Sequence, residues 1–69
     1  MKVLISECEH DGDLRVCGET IQSCGAILIS RSFDEESEEG IIEFMVRENE
    51  KEFMEKLKKT SIYEFCEFI

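Results

Sequence analysis

The chain contains no proline and only four glycines, and 42% of its residues are apolar. That combination excludes proline-rich linkers and argues against a disordered chain, which would carry fewer apolar residues and more low-complexity sequence. Basic residues are also scarce: 8 Lys and Arg stand against 17 Asp and Glu, for a net charge of −9. Duplex nucleic acid is bound largely through Lys and Arg on phosphates, so no direct nucleic-acid partner is expected. Anionic membrane surfaces are disfavoured for the same reason. Basic proteins, metal ions and cationic ligands stay open. No apolar run approaches the ~18 residues of a membrane span. The run Val3-Leu4-Ile5 is too short for a signal peptide and Glu7 interrupts it. A cytoplasmic location is therefore expected, with Cys8, Cys17, Cys24 and Cys66 as reduced thiols. There is no Cys-x-x-Cys pair, no Gly-rich phosphate loop and no nucleophile elbow. The single histidine, His10, has no nucleophile or orienting partner at readable spacing. An enzyme is not expected.

What is present reads as one small α+β domain over residues 1–69. At this length only about 60% of the unfolded surface is buried, so the core is thin. Residues 2 to 8 carry Val3, Leu4 and Ile5 and read as a strand. Cys8 to Asp13 is a polar turn. Leu14, Cys17, Ile21 and Cys24 then recur at helical spacing. Asp11 or Asp13 can cap that helix, and Gly25 stands at its left-handed C′ position. Gly18 weighs against it, because a mid-helix glycine costs about 1 kcal/mol. A short strand from Leu14 to Cys17 followed by a loop is the rival. Ala26 to Phe33 reads as a strand, Asp34 to Gly40 as an acidic hairpin loop, and Ile41 to Val46 as a strand with Ile42, Phe44 and Val46 on one face. Residues 50 to 60 read as a helix capped by Asn49, with Glu52 completing a capping box. Phe53, Met54 and Leu57 form its buried stripe, and Glu52–Lys56 and Glu55–Lys59 are favourable i, i+4 pairs. Ile62 to Ile69 reads as an aromatic-rich strand.

The order β-α-β-β-α-β, with right-handed crossovers, predicts a ferredoxin-like fold: a four-stranded antiparallel sheet in the order 4-1-3-2 with both helices on one face. The other face is left uncovered, and Met45, Tyr63 or Phe65 could lie there. Such a face, or the edge strand Ala26 to Phe33, is a natural dimer surface, and a homodimer is expected.

Two short stretches carry a resemblance. Asp11-Gly12-Asp13-Leu14 follows the first strand, and Cys24-Gly25-Ala26-Ile27 ends the first helix. They resemble the Asp-x-Pro-Gly-x-Leu and Gly-x-Asn-Ile motifs of ACT domains, which are ferredoxin-like regulatory domains that bind amino acids and other small ligands. The proline and one spacer are missing, and Ala26 stands in place of asparagine. The resemblance implies a non-catalytic regulatory or ligand-sensing domain, with a small-molecule ligand near the turn Glu9, His10, Asp11, Gly12 and Asp13.

The same turn is the chemically richest segment by residue type. Cys8-x-His10 with neighbouring carboxylates is a donor set for a divalent transition metal. It lacks a spaced second pair of ligands, so neither metal nor cofactor is expected. The plainer reading is a solvated turn. Cys17 and Cys24 read as small buried hydrophobes. Cys8 should lie near the start of the last strand and Cys66 beside the start of the first, too far apart for a bridge. The acidic loop, with Asp34, Glu35, Glu36, Glu38 and Glu39, opens a second reading: an acidic interaction or inhibitor protein that binds a basic protein partner and mimics nucleic-acid phosphates. Its plainer counterpart is a solvated hairpin tip.

Overall fold

A computed structural model describes residues 1–47 and 49–69. The elements are β1 (Lys2–Ile5), α1 (Asp11–Ser23), β2 (Ala26–Asp34), β3 (Glu39–Val46), α2 (Glu50–Lys58), a 3-10 turn (Tyr63–Phe65) and β4 (Cys66–Phe68). The strands form one antiparallel sheet in the order β2-β3-β1-β4. This is the ferredoxin-like βαββαβ arrangement predicted from the element order.

The helix from the Leu14 periodicity forms, and the rival strand does not. Leu14, Cys17, Ile21 and Cys24 are all buried. The mid-helix glycine has a packing reason: a Cβ on Gly18 would stand 3.1 Å from Leu28, so the missing side chain lets α1 lie close on β2. Gly25 has φ +108°, the backbone that lets the chain leave α1 and enter β2. The start of α1 differs from expectation. Neither Asp11 nor Asp13 is its cap: α1 begins at Asp11, its N-cap is His10, and no side chain caps it there. Asp13 Oδ2 instead accepts the backbone N–H of Glu9, one residue before the cap, at 3.0 Å.

Asn49 caps α2 as expected, its Oδ1 accepting from the backbone N–H groups of Lys51 (2.8 Å) and Glu52 (3.3 Å). Phe53 and Leu57 are buried and Met54 packs against the core. The pairs Glu52–Lys56 and Glu55–Lys59 do not close. Among the described residues, Arg31 pairs with Asp11, and the His10 imidazole lies 3.8 Å from the Asp13 carboxylate. An exposed pair gains too little Coulomb energy to offset the rotamer freedom that both side chains lose.

Alternation sorts the sheet's two faces. Val3, Ile5, Ile42 and Phe44 are at most 1% exposed and lie under the helices. Phe44 meets Phe53 with ring centroids 5.3 Å apart. Gly40 is buried directly beneath Leu14, whose side chain occupies the space a Cβ would need. Leu4, Ile41, Glu43, Met45, Ile27 and Glu67 take the opposite face, as their register pairings require.

The first and last strands in the chain are both shorter than expected. β1 stops at Ile5, not Cys8, because Glu7 adopts φ 60° and turns the chain. The predicted strand Ile62–Ile69 begins only at Cys66. Before it, Tyr63 N–H bonds to Thr60 O and Phe65 N–H to Ile62 O, winding the chain back from α2. That turn puts Tyr63 and Phe65 against the core, half-buried, and not on the uncovered face; Met45 is there, 58% exposed.

Replacing either close-packed or left-handed glycine should cost stability. Gly40→Ala drives a methyl into Leu14 and is expected to cost about 1–3 kcal/mol by overpacking. Gly25→Ala strains the backbone and is expected to cost about 1–2 kcal/mol. Urea unfolding of both variants checks this, with a lowered midpoint and an unchanged slope as the expected result.

Candidate functional site

The turn that links β1 to α1 is held from three sides. Ser6 N–H bonds to Phe65 O at 3.0 Å, and Cys8 N–H bonds to Glu38 O at 2.8 Å. The first contact ties the turn to the segment before β4, the second to the base of the β2–β3 hairpin. Glu7 and Glu38 are the two non-glycine residues with positive φ among those described. The chain thus bends sharply on both sides of the Cys8–Glu38 hydrogen bond. Within the turn, Asp13 N–H bonds to His10 O at 3.0 Å, and His10 Nε2 lies 3.8 Å from Asp13 Oδ1. Arg31, on β2, reaches Asp11 at 3.4 Å. Two of the turn's carboxylates therefore already face cationic or polar partners of the same chain.

The structure gathers the five turn residues only in part. Glu9, His10 and Asp11 are exposed. Asp13 alone among the five lines a groove, of about 370 Å³, that runs between α1 and the 3-10 turn. Cys8, Cys17, Ile62, Glu64 and Phe65 line it too. Local sequence spacing does not join the thiols to this groove, because Cys17 comes from α1 and Phe65 from the far end of the chain. A second cleft, of about 180 Å³, lies near the C-terminus of α1 and the start of α2, where Arg47 and Lys56 line it. Among the described residues, no group of three or more His, Cys, Asp or Glu side chains is placed to hold a metal ion.

All four cysteines are free thiols. Cys66 starts β4 opposite Ile5, the last residue of β1. It therefore stands near the end of the first strand and not beside its start, because β4 is short and begins late. Its thiol donates to Ile62 O at 3.3 Å, and that of Cys8 to Ile5 O at 3.8 Å. Burial pushes the Cys66 thiol up to about 11, with the neighbouring Cys17 adding to the shift. Burial likewise raises Cys8 and Cys17, with Asp13 disfavouring a thiolate at both. The raised values favour the neutral thiol at all three positions.

The acidic hairpin loop is shorter than the expected Asp34 to Gly40. β2 runs through Asp34 and β3 resumes at Glu39, which leaves the tip at Glu35 to Glu38. Asp34 Oδ1 accepts the backbone N–H of Glu36 at 3.0 Å, a local turn bond. Asp34, Glu35, Glu36 and Glu38 are exposed and Glu39 is half-buried.

No family model, curated protein or solved structure matches the chain. No helix among the described residues is long and apolar enough to cross a membrane.

The raised thiols link stability to alkaline pH. A thiol whose folded pKa exceeds its unfolded value stabilises the fold while protonated. That contribution is complete below the unfolded value of about 9 and is lost as pH rises through about 11. Thermal unfolding at stepped pH should therefore show a fall in Tm between pH 9 and 11. Cys66→Ser, which keeps a donor for Ile62 O but does not titrate, should flatten that fall relative to the wild-type chain.

Proposed function

We propose that this chain is a non-catalytic regulatory domain of the ACT-like kind that senses a small ligand and works as a cytoplasmic homodimer. The observation that carries the reading is the groove beside the first turn. Its volume of about 370 Å³ falls within the ~300–1,000 Å³ typical of small-molecule sites. Asp13 supplies an orienting carboxylate, while Ile62, Phe65 and Val16 supply apolar walls. The neutral thiols suit a binding surface and not covalent chemistry. The ACT-like part of the reading rests on the short sequence resemblance at Asp11-Gly12-Asp13-Leu14 and Cys24-Gly25-Ala26-Ile27. Thermal-shift measurements with amino acids, nucleotides and divalent metals test it. At least one amino acid or nucleotide should raise Tm, and Asp13→Asn or Val16→Arg should remove most of the rise. A flat response to every compound ends the ligand-sensing reading.

A second reading has its own observation. Four of the five acidic residues from Asp34 to Glu39 are exposed at one end of the molecule, with no cation in that stretch. Such a tip would steer a basic protein surface through long-range attraction that weakens with salt. In this reading the chain is an acidic interaction or inhibitor protein that mimics nucleic-acid phosphates. Capture of a Lys- and Arg-rich protein at low salt should then disappear when Glu35, Glu36, Glu38 and Glu39 are all changed to Gln. Undiminished capture by that variant removes this reading.

A further inference from the structure

We infer that the groove between α1 and the 3-10 turn selects organic cations: a small ammonium compound whose apolar ring or chain lies against Val16, Ile62 and Phe65 while its charge meets Glu7, Asp13 and Glu64. The inference rests on the proposed ligand-sensing reading and names the class of ligand for that same groove.

The three acidic residues come from three separate segments. Glu7 belongs to the bend after β1, Asp13 to the first turn of α1 and Glu64 to the 3-10 turn. Tertiary hydrogen bonds fix the backbone on both sides of Glu7, from Ser6 N–H to Phe65 O and from Cys8 N–H to Glu38 O. Asp13 is half-buried and held in place, its Oδ2 accepting the Glu9 N–H at 3.0 Å. Val16 stands three residues further along α1, on the same side of the helix, and is 53% exposed. Ile62 and Phe65 are half-buried opposite it. Carboxylates and apolar walls therefore lie side by side along one groove.

Charge decides between ligand classes. No Lys, Arg or His lines the groove. The cations nearest the turn lie outside it: Arg31 reaches Asp11 at 3.4 Å, and His10 Nε2 stands 3.8 Å from Asp13 Oδ1. The N-terminus of α1 carries roughly half a positive charge, less than the full negative charge that Asp13 alone brings. The Cys8 and Cys17 thiols, kept towards the neutral form by burial, add none. A phosphate or a lone carboxylate thus meets like charge with no counter-cation. An amino acid keeps its ammonium contact and is opposed at its own carboxylate. An amine without a carboxylate has only the favourable part.

Size and lining narrow the class further. A volume of about 370 Å³ is near the lower end of the ~300–1,000 Å³ range of small-molecule sites, which suits one ring or short chain with one charged head. The apolar walls lower the local dielectric, so an ammonium is attracted more strongly here than at an open carboxylate surface. A bare metal ion has no tail for those walls, and among the described residues no three ligating side chains are placed to hold one.

Calorimetric titration of the full chain with a matched series at neutral pH tests this: 2-phenylethylamine (cation), phenylalanine (zwitterion), 2-phenylethanol (neutral) and 3-phenylpropionate (anion), with hexylamine and hexanol as an aliphatic pair. The amine of each set should bind about tenfold or more tighter than its neutral partner, phenylalanine more weakly than 2-phenylethylamine, and 3-phenylpropionate not at all. Added salt should weaken the amines and leave the alcohols unchanged. Asp13→Asn should bring the amines down to the level of the alcohols. Glu64→Gln, at an exposed position, should weaken them several-fold with the fold intact by circular dichroism. Alcohols or 3-phenylpropionate that bind as tightly as the amines overturn the inference and leave ligand sensing standing. So does a chain that binds none of the series but is stabilised by a nucleotide. A chain that binds none of these and is stabilised by no compound overturns both.

Discussion

Sixty-nine residues supply enough apolar side chains to cover one face of a four-stranded sheet and no more. Everything else in the structure follows from where that single layer of contacts falls. Val3, Ile5, Ile42 and Phe44 point from the sheet to Leu14, Ile21, Phe53 and Leu57 on the helices, and all are nearly or fully buried. Burying a side chain of this size contributes roughly 1.5–3 kcal/mol, set against conformational entropy of similar total size. A core this thin has little redundancy. This is why both close approaches of backbone to core, Gly18 under Leu28 and Gly40 under Leu14, are made by glycine.

The same constraint determines what lies at the surface. With both helices used on one face, Ile41, Met45 and Ile27 have no intramolecular cover. The charged residues take the helix backs, the hairpin tip and the first turn. Those charges do little for the fold. Among the described residues the cation–carboxylate contacts are Arg31–Asp11 and the histidine contact His10–Asp13, both beside the first turn. The surplus of carboxylates reaches the uncovered sheet face too, where Asp34, Glu39, Glu43 and Glu67 stand with Lys2.

The groove near the first turn is a by-product of how the last strand is reached. A full-length final strand would have run straight from α2 into the sheet. The 3-10 turn instead swings Phe65 and Ile62 beside α1, and the space they enclose with Cys17 and Asp13 is the groove. The thiols at its wall, Cys8 and Cys17, have their pKa values raised by burial.

Wherever periodicity spans a whole element, the sequence alone determined the outcome. The 3-4-3 spacing of Leu14, Cys17, Ile21 and Cys24, the alternation of Ile42, Phe44 and Val46, and Asn49 before an amphipathic stretch each placed an element on its buried face. The order of those elements, with crossover handedness, was enough for the strand order. Of the turn expected to hold a ligand, only Asp13 reaches a cavity, and that cavity is completed by residues some fifty positions away. Only the tertiary structure decided that, together with the left-handed bend at Glu7, the early end of β1 and the inward placement of Tyr63 and Phe65. The physical reason is range. Local spacing carries the preferences of helix and strand, but a groove, a thiol's pKa and a strand's end depend on which distant backbone atoms arrive to bond with it, as Phe65 O does for Ser6 and Glu38 O does for Cys8.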